Sequence, residues 1–326
     1  MKLAQRLPYH SWRQDEGFKK ILDFCLSYSD CLDELTFLTN YIHYGYYPLD
    51  AVREDCGILE KRIAAFRENG FSSVGINELV TVGHINEGYA YNKSPFAPIT
   101  GFDGQESKTC FCPSHEDMKQ YIAEKYRILA RTKPDFIWVD DDIKYFWNGV
   151  KFGCFCNTCM ARFNKIAGTH YDRETLVKAM NKPDAVELRG VFVQDISDKI
   201  SELLGIIKDA ILGVDPRIKT GFMTQHQGWS TFNGMSFSDW FPALGAVKGR
   251  PGEGYYDDGI PENVCIKALS AARQASEYPP SVRDVQYEVE SFPYHLFQKS
   301  RLITLDECTL AMASGMNGVL LNTIKA

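Results

Sequence analysis

Three consecutive aspartates, Asp140, Asp141 and Asp142, close the apolar run "DFIWV", and Glu288 and Glu290 close a second run, "DVQYEV". Two carboxylates that face one another can hydrolyse a glycosidic bond. One, kept protonated, assists the leaving group, while the other stays ionised and attacks the anomeric carbon or activates water. The triplet could also hold a hydrated magnesium ion, because hard cations take oxygen ligands. Adjacent strand residues point to opposite faces, however, so at most alternate aspartates converge, and metal is the weaker option. By the same rule Glu288 and Glu290 share a face, and alternation does not separate them. The third reactive group is sulfur. Cys154, Cys156 and Cys159 form C-x-C-x-x-C, with Cys110 and Cys112 upstream in "TCFCPSHEDM". Four thiolates suit a tetrahedral structural zinc with no open position. The leading C-x-C is tighter than the usual zinc hook, so spacing alone leaves unligated thiols equally open.

These groups need a scaffold to bring them together. Strand-like runs fall at 3–12, 34–41, 71–84, 135–140, 218–224, within 241–248 ("LGAVKG"), at 282–290 and at 318–322. Between them, helical spacing covers 16–28, 49–69, 114–131, 185–212, 262–277 and 306–314. Gly70 is a left-handed stop for the second helix, and Ser114 an N-cap for the third, with Asp117 in its first turn. Repeated βα units imply a parallel sheet with right-handed crossovers, and eight of them close into a (β/α)8 TIM barrel. The expectation is one barrel domain over residues 1–326. An open doubly wound sheet would show a glycine-rich nucleotide turn, and neither GxGxxG nor GxxxxGK[ST] is present. In a barrel the C-terminal strand ends carry the chemistry. The aspartates end the fourth strand and the glutamates the seventh, so both face one mouth.

The bulk properties narrow the partners. A net charge of −6 without a Lys/Arg run argues against nucleic acid. No stretch reaches the roughly 18 unbroken apolar residues of a membrane span, and the N-terminus has no apolar signal core. Five of the ten cysteines fall in two tight groups, which suits a reducing cytoplasm better than a disulfide scaffold.

"FCPSHEDMKQYIAEKY", a strand ending in acidic residues, and "GCFCNTCMARF" together resemble the family 42 glycoside hydrolases, zinc-bearing β-galactosidases of the retaining-barrel clan. The resemblance spans the whole chain and is strongest at the cysteines. It implies a structural zinc held by the thiolates of Cys112, Cys154, Cys156 and Cys159, with Cys110 a competitor for the first position. It implies an acid/base at Asp142, where the family has glutamate, and places Asp141 at the family's asparagine. "VESFP" matches the family nucleophile at Glu290, with Glu288 as the fallback. It further implies a carbohydrate substrate, a β-galactoside by default, trimeric assembly, and further domains beyond the barrel in family members.

Sugars are held by polar groups and aromatic faces, and many such residues follow the strands: His84, Tyr44, Tyr46, Tyr47, Tyr145, Trp147, His226, Trp229, Tyr255, Tyr256 and Tyr294. His226 and Trp229 are the first candidates, and Glu253 is a third carboxylate for a sugar hydroxyl. The expected function is a retaining exo-β-glycosidase. A carbohydrate-binding barrel without turnover is the alternative, because the acid/base position is altered. A zinc hydrolase would need an open coordination site, which a set of four cysteine ligands lacks.

Overall fold

The computed structural model describes residues 1–39, 44–84, 94–225, 234–255, 257–291, 295 and 297–324. Eight parallel strands close into a barrel: β1 (Lys2–Leu7), β2 (Glu34–Leu38), β3 (Val74–Glu78), β6 (Phe136–Val139), β7 (Lys219–Thr224), β8 (Lys248–Pro251), β9 (Asp284–Glu290) and β10 (Gly318–Asn322). β1 pairs with β10 to complete the ring. The remaining strands, β4 (Pro98–Thr100) and β5 (Glu106–Phe111), form an antiparallel hairpin in the excursion after β3. The fold is a (β/α)8 TIM barrel, as the alternation of elements requires.

Helices wrap the barrel where the sequence has helical spacing. They include α2 (Asp15–Ser27), α3 (Leu49–Glu68), α4 (Glu116–Arg131), α7 (Val186–Leu212), α9 (Asn263–Ser276) and α10 (Arg301–Ala313), with a short α1 (Tyr9–Arg13) preceding α2. Gly70 takes φ +93° just beyond α3, the stop its sequence suggested. Four expectations shift. The first strand stops at Leu7 rather than running to residue 12, because Pro8 starts α1 over Tyr9–Arg13. α4 begins at Glu116 after His115 with no side-chain cap, and the Ser114 hydroxyl lies 3.2 Å from that of Tyr145 instead. The last helix starts at Arg301 because the Ser300 hydroxyl accepts from the Ile303 N–H at 3.2 Å. The sixth strand is Lys248–Pro251 rather than a run inside 241–248. Phe237, Trp240, Phe241 and Leu244 have helical spacing and form α8 (Phe237–Leu244), which Gly245 closes at φ +68°. Two helices between β6 and α7 have no counterpart in the sequence reading: α5 (Asn157–Ala167) and α6 (Arg173–Met180).

The apolar core lies between barrel and helices. Ile76, Ile137, Val139 and Phe222 of the strands share one buried cluster with Ile63, Phe66, Leu203 and Ile207 of the helices. Inside the barrel the filling is different. Trp138 and Phe136 fit because their strand neighbours are glycines: a Cβ on Gly221 would stand 2.4 Å from the Trp138 ring, and one on Gly75 2.2 Å from Phe136. Most of the other inward positions are charged or polar.

Candidate active site at the barrel mouth

The floor of the site is a buried ionic network. Arg6 on β1 donates to Glu288 Oε1 on β9 at 2.5 Å. Arg250 on β8 donates to Asn77 Oδ1 at 2.7 Å and to Asp140 Oδ1 at 3.0 Å, and its Nε lies 3.6 Å from Glu288 Oε1. Asn77 in turn donates to Asp140 Oδ2 at 2.7 Å. Burial pushes Glu288 up, but Arg6, Arg250 and Lys267 outweigh it and hold the carboxyl below the usual range. Burial pulls Arg250 down and Arg6 repels it; the surrounding carboxylates hold Arg6 above its usual value. At the end of β9, Glu290 accepts from Asn322 Nδ2 with both oxygens, at 2.9 and 2.7 Å, and its Oε2 lies 3.6 Å from Arg6. Glu290 is nearer the mouth than Glu288, being the last residue of the strand.

Above this floor lies a cavity of about 240 Å³ at the C-terminal strand ends, lined among others by Asp141, Lys144, Trp147, Gln225, Glu253 and Glu288. Asp141 is the carboxylate from the β6 end. His84 Nε2 stands 3.3 Å from its Oδ1 and Lys144 Nζ 3.5 Å from its Oδ2. Burial would raise Asp141, but Lys144, His84 and Arg250 hold it well below the carboxylate range. Burial lowers His84, and Asp141 overrides that and raises it. The Gln225 side chain donates to the Asp141 carbonyl and fixes its backbone. Glu253 accepts from the Ser270 hydroxyl at 2.7 Å. Trp147, 49% exposed with φ +55°, stands on the rim. A larger depression of about 920 Å³ opens on the opposite barrel face, far from these strand ends. Its floor charges, Lys2, Lys248, Glu34 and Asp284, neutralise one another.

Asp142 has a different environment from the one expected of an acid/base. It is fully buried and does not line the cavity. Its Oδ2 accepts the backbone N–H groups of Thr81, Val82 and Gly83 at 2.6, 2.6 and 2.8 Å, while Oδ1 has no hydrogen-bond partner among the described residues. Burial pushes its carboxyl up to about 7 against the pull of those three amides. The triplet thus splits three ways: Asp140 into the barrel, Asp141 to the cavity, and Asp142 to the chain after β3.

The four cysteines converge. The sulfurs of Cys112, Cys154, Cys156 and Cys159 all lie within 4.8 Å of one another. Cys112 Sγ is 3.5 Å from Cys159 Sγ and 3.8 Å from Cys156 Sγ. A tetrahedral zinc with Zn–S of about 2.3 Å has sulfur–sulfur edges of about 3.8 Å, so the set can hold such a metal ion. The Thr100 and Cys156 N–H groups donate to Cys154 Sγ at 3.3 and 3.4 Å, as amides do around a metal thiolate. Cys110 stands apart, buried beside Thr109.

Of the other sequence candidates, Tyr44, Tyr145 and Tyr255 are buried, and Tyr46 packs on Phe96 and Tyr121. His226, Trp229, Tyr256 and Tyr294 lie outside the described residues. Arg6, Asn77, Arg250 and Asn322 were missed. Their signal was a polar residue at the inward parity of a strand.

No family model matches the sequence, and no curated protein matches it significantly. Solved structures do. The glycoside hydrolase domain of PgaB (BpsB) from Bordetella bronchiseptica aligns with TM-score 0.64 at 12% identity, over 98% of this chain and 93% of that one. A β-galactosidase from the Antarctic haloarchaeon Halorubrum lacusprofundi aligns with TM-score 0.64 at 12% identity, over 100% of this chain and 53% of that one. The β-galactosidase of Bacillus circulans sp. alkalophilus gives 0.64 at 13%, over 99% and 50%. The chain therefore spans about half the length of these β-galactosidases and has the barrel fold of glycoside hydrolase domains.

The buried Asp142 carries a stability signature. Its folded carboxyl titrates near 7 and an unfolded one near 3.9, so between about pH 4 and 7 the folded state binds the extra proton. The wild-type contribution is complete below this window and is lost as pH rises through 7. Asp142→Asn has no such proton, so its urea-unfolding stability should gain on wild type from pH 4.5 to about 7 and level off above that. Parallel profiles would contradict this environment.

Proposed function

We propose that the protein is a glycoside hydrolase that seats a sugar in the mouth cavity. The observation that carries this reading is the convergence of Asp141 and Glu288 on one cavity, with Glu253 beside them and an exposed Trp147 on its rim. An indole face suits the C–H face of a pyranose, and carboxylates suit its hydroxyls. The barrel type, shared with glycosidase domains, supports the reading. A β-galactoside or another β-hexoside is the proposed substrate, and the cytoplasm the proposed compartment. No helix among the described residues is long and apolar enough to cross a membrane.

In the proposed reaction Glu290, which ends β9 two residues beyond the cavity-lining Glu288 and is 9% exposed, attacks the anomeric carbon and forms a glycosyl ester, while the glycosidic oxygen leaves with a proton. Asn322 and Arg6 hold the Glu290 carboxylate in place for that attack. The acid/base task moves from Asp142, which is sealed from the cavity, to Asp141 with His84 behind it. That pair gives the proton to the leaving oxygen and takes one back from the water that hydrolyses the ester. Asp141 is held ionised by its neighbours, so His84 is the proton reservoir of the pair. The same observation favours a second reading, a barrel that binds sugar without turnover, which would show binding by calorimetry but no hydrolysis of any activated glycoside.

Zinc is the proposed occupant of the Cys112, Cys154, Cys156 and Cys159 cluster. When bound, it would supply cross-linking rather than Lewis acidity, because four thiolates leave no open position. It would tie the end of β5 to the start of α5.

Two experiments test these proposals. Glu290→Ala should lower aryl β-glycoside hydrolysis by at least about a thousandfold, with partial recovery in azide; undiminished turnover would remove Glu290 from the reaction. Elemental analysis should find one zinc per folded chain, lost in Cys154→Ser together with thermal stability. A zinc-free chain with an unchanged melting temperature would exclude the structural metal.

A further inference from the structure

Behind β9, on the side of the helices, two buried lysines meet one buried glutamate. Lys267 on α9 lies 3.0 Å from Glu307 Oε1 on α10, and Lys299, just before α10, pairs with Glu307 Oε2. All three are almost fully buried. The same ammonium groups reach the main chain of the site. Lys267 donates to the Glu288 carbonyl at 2.5 Å, and Lys299 donates to the Glu290 carbonyl at 2.9 Å. Lys299 also donates to the Tyr255 carbonyl at 3.1 Å, in the segment after β8 that carries Glu253.

The topology explains why these carbonyls need donors. β9 pairs with β10 along its length, through Glu290 opposite Asn322. Its pairing with β8 stops at Val285, opposite Gly249. β8 ends at Pro251, which has no N–H to offer. Among the described residues the C-terminal half of β9 therefore has no strand partner on its β8 side, and the lysines take that place. Burying a Lys–Glu–Lys set is costly, and well-packed apolar residues of the same volume would stabilise the fold at least as well. Two cations on one anion also leave one net positive charge directly behind the site carboxylates.

We infer that Glu307 with Lys267 and Lys299 is a positioning site for the β9 carboxylates, fixing the backbone of Glu288 and Glu290 and placing a net positive charge behind them. The inference rests on the glycosidase reading for its purpose. Among the described residues, the other groups facing these carboxylates include Arg6 from β1 for both, Arg250 from β8 for Glu288, and Asn322 from β10 and the Ser291 N–H for Glu290. Glu307 itself also faces the Tyr287 hydroxyl at 3.4 Å. The neighbouring charges act in the expected direction: Lys267 helps to hold Glu288 low, while burial, opposed by Glu307, leaves Lys299 below its usual value.

The test uses the opposite charge changes that the set allows. Glutamate side chains are labelled with carbon-13, and the Glu288 and Glu290 signals are assigned with Glu288→Gln and Glu290→Gln. Lys267→Met and Lys299→Met each remove a positive charge and should raise the two titrations by about one unit. Glu307→Gln removes the negative charge and should lower them. In aryl glycoside kinetics the lysine variants should lose about 10- to 100-fold in kcat with KM within twofold, and the acid limb of the profile should move with the titration. Glu307→Gln keeps the side-chain shape and carries the test if a methionine variant does not fold. Titrations that stay put, or move the same way in all three variants, would overturn the positioning site whatever the activity. Shifts of opposite sign in a protein that turns over no glycoside would sustain it and reject the glycosidase reading.

Discussion

Charge buried inside the barrel sets the position of everything at its mouth. Barrels of this type usually fill their interior with branched apolar side chains. Here Arg6 and Arg250 stand among Asp140, Glu288 and Glu290, with Asn77 and Asn322 adding hydrogen bonds to the network. An ion in this environment survives only if it is paired, and removing one partner strands the other. The arrangement is therefore rigid by necessity: no member can move without exposing a buried charge. Two arginines against three carboxylates leave one negative charge, and the Lys267–Glu307–Lys299 set behind β9 carries one positive charge.

The segment after β6 is the second fixed point, and it is held from both ends. Asp142 takes three backbone amides of the chain after β3. The cysteine cluster joins β5 to the start of α5. Between them, Asn148 donates to the Asp142 and Lys144 carbonyls at 3.1 and 2.9 Å and shapes the turn that presents Trp147. Asp141 is thus presented by a loop whose flanks are pinned. Its pairing with His84 and Lys144 holds it ionised, so in the proposed reaction the proton resides on His84 rather than on the carboxylate.

Much of this could be read from the chain. Strand alternation and helical spacing located the eight barrel strands, because each buries one face on the helices; the exceptions were the first, which ends at Leu7 because Pro8 opens the helix that holds Tyr9–Trp12, and the sixth, where Phe237, Trp240, Phe241 and Leu244 belong to a helix. The hairpin β4–β5, in the excursion after β3, and helices α5 and α6, in the one after β6, escaped because they are short elements outside the βα alternation, two of which the cysteine cluster brings together. The carboxylates were visible as types at strand ends, and the cysteines by their C-x-C-x-x-C spacing with Cys112 upstream. What spacing could not assign was which aspartate of the triplet faces the mouth, because that depends on three amides donated by Thr81, Val82 and Gly83, far away in sequence. The arginines were invisible for a related reason: Arg250 in "KGRPGEG" reads as a loop cation until the barrel closes around it.

The central claim is that the mouth performs glycoside hydrolysis through a covalent step on β9. Mass spectrometry after incubation with 2-deoxy-2-fluoro β-glycosides bearing a dinitrophenyl leaving group tests it most directly. The account predicts a mass increase of one fluoroglycosyl unit, mapped to Glu290 in the peptide that contains "YEVESF". An unlabelled protein, or a label on Asp141, would contradict it.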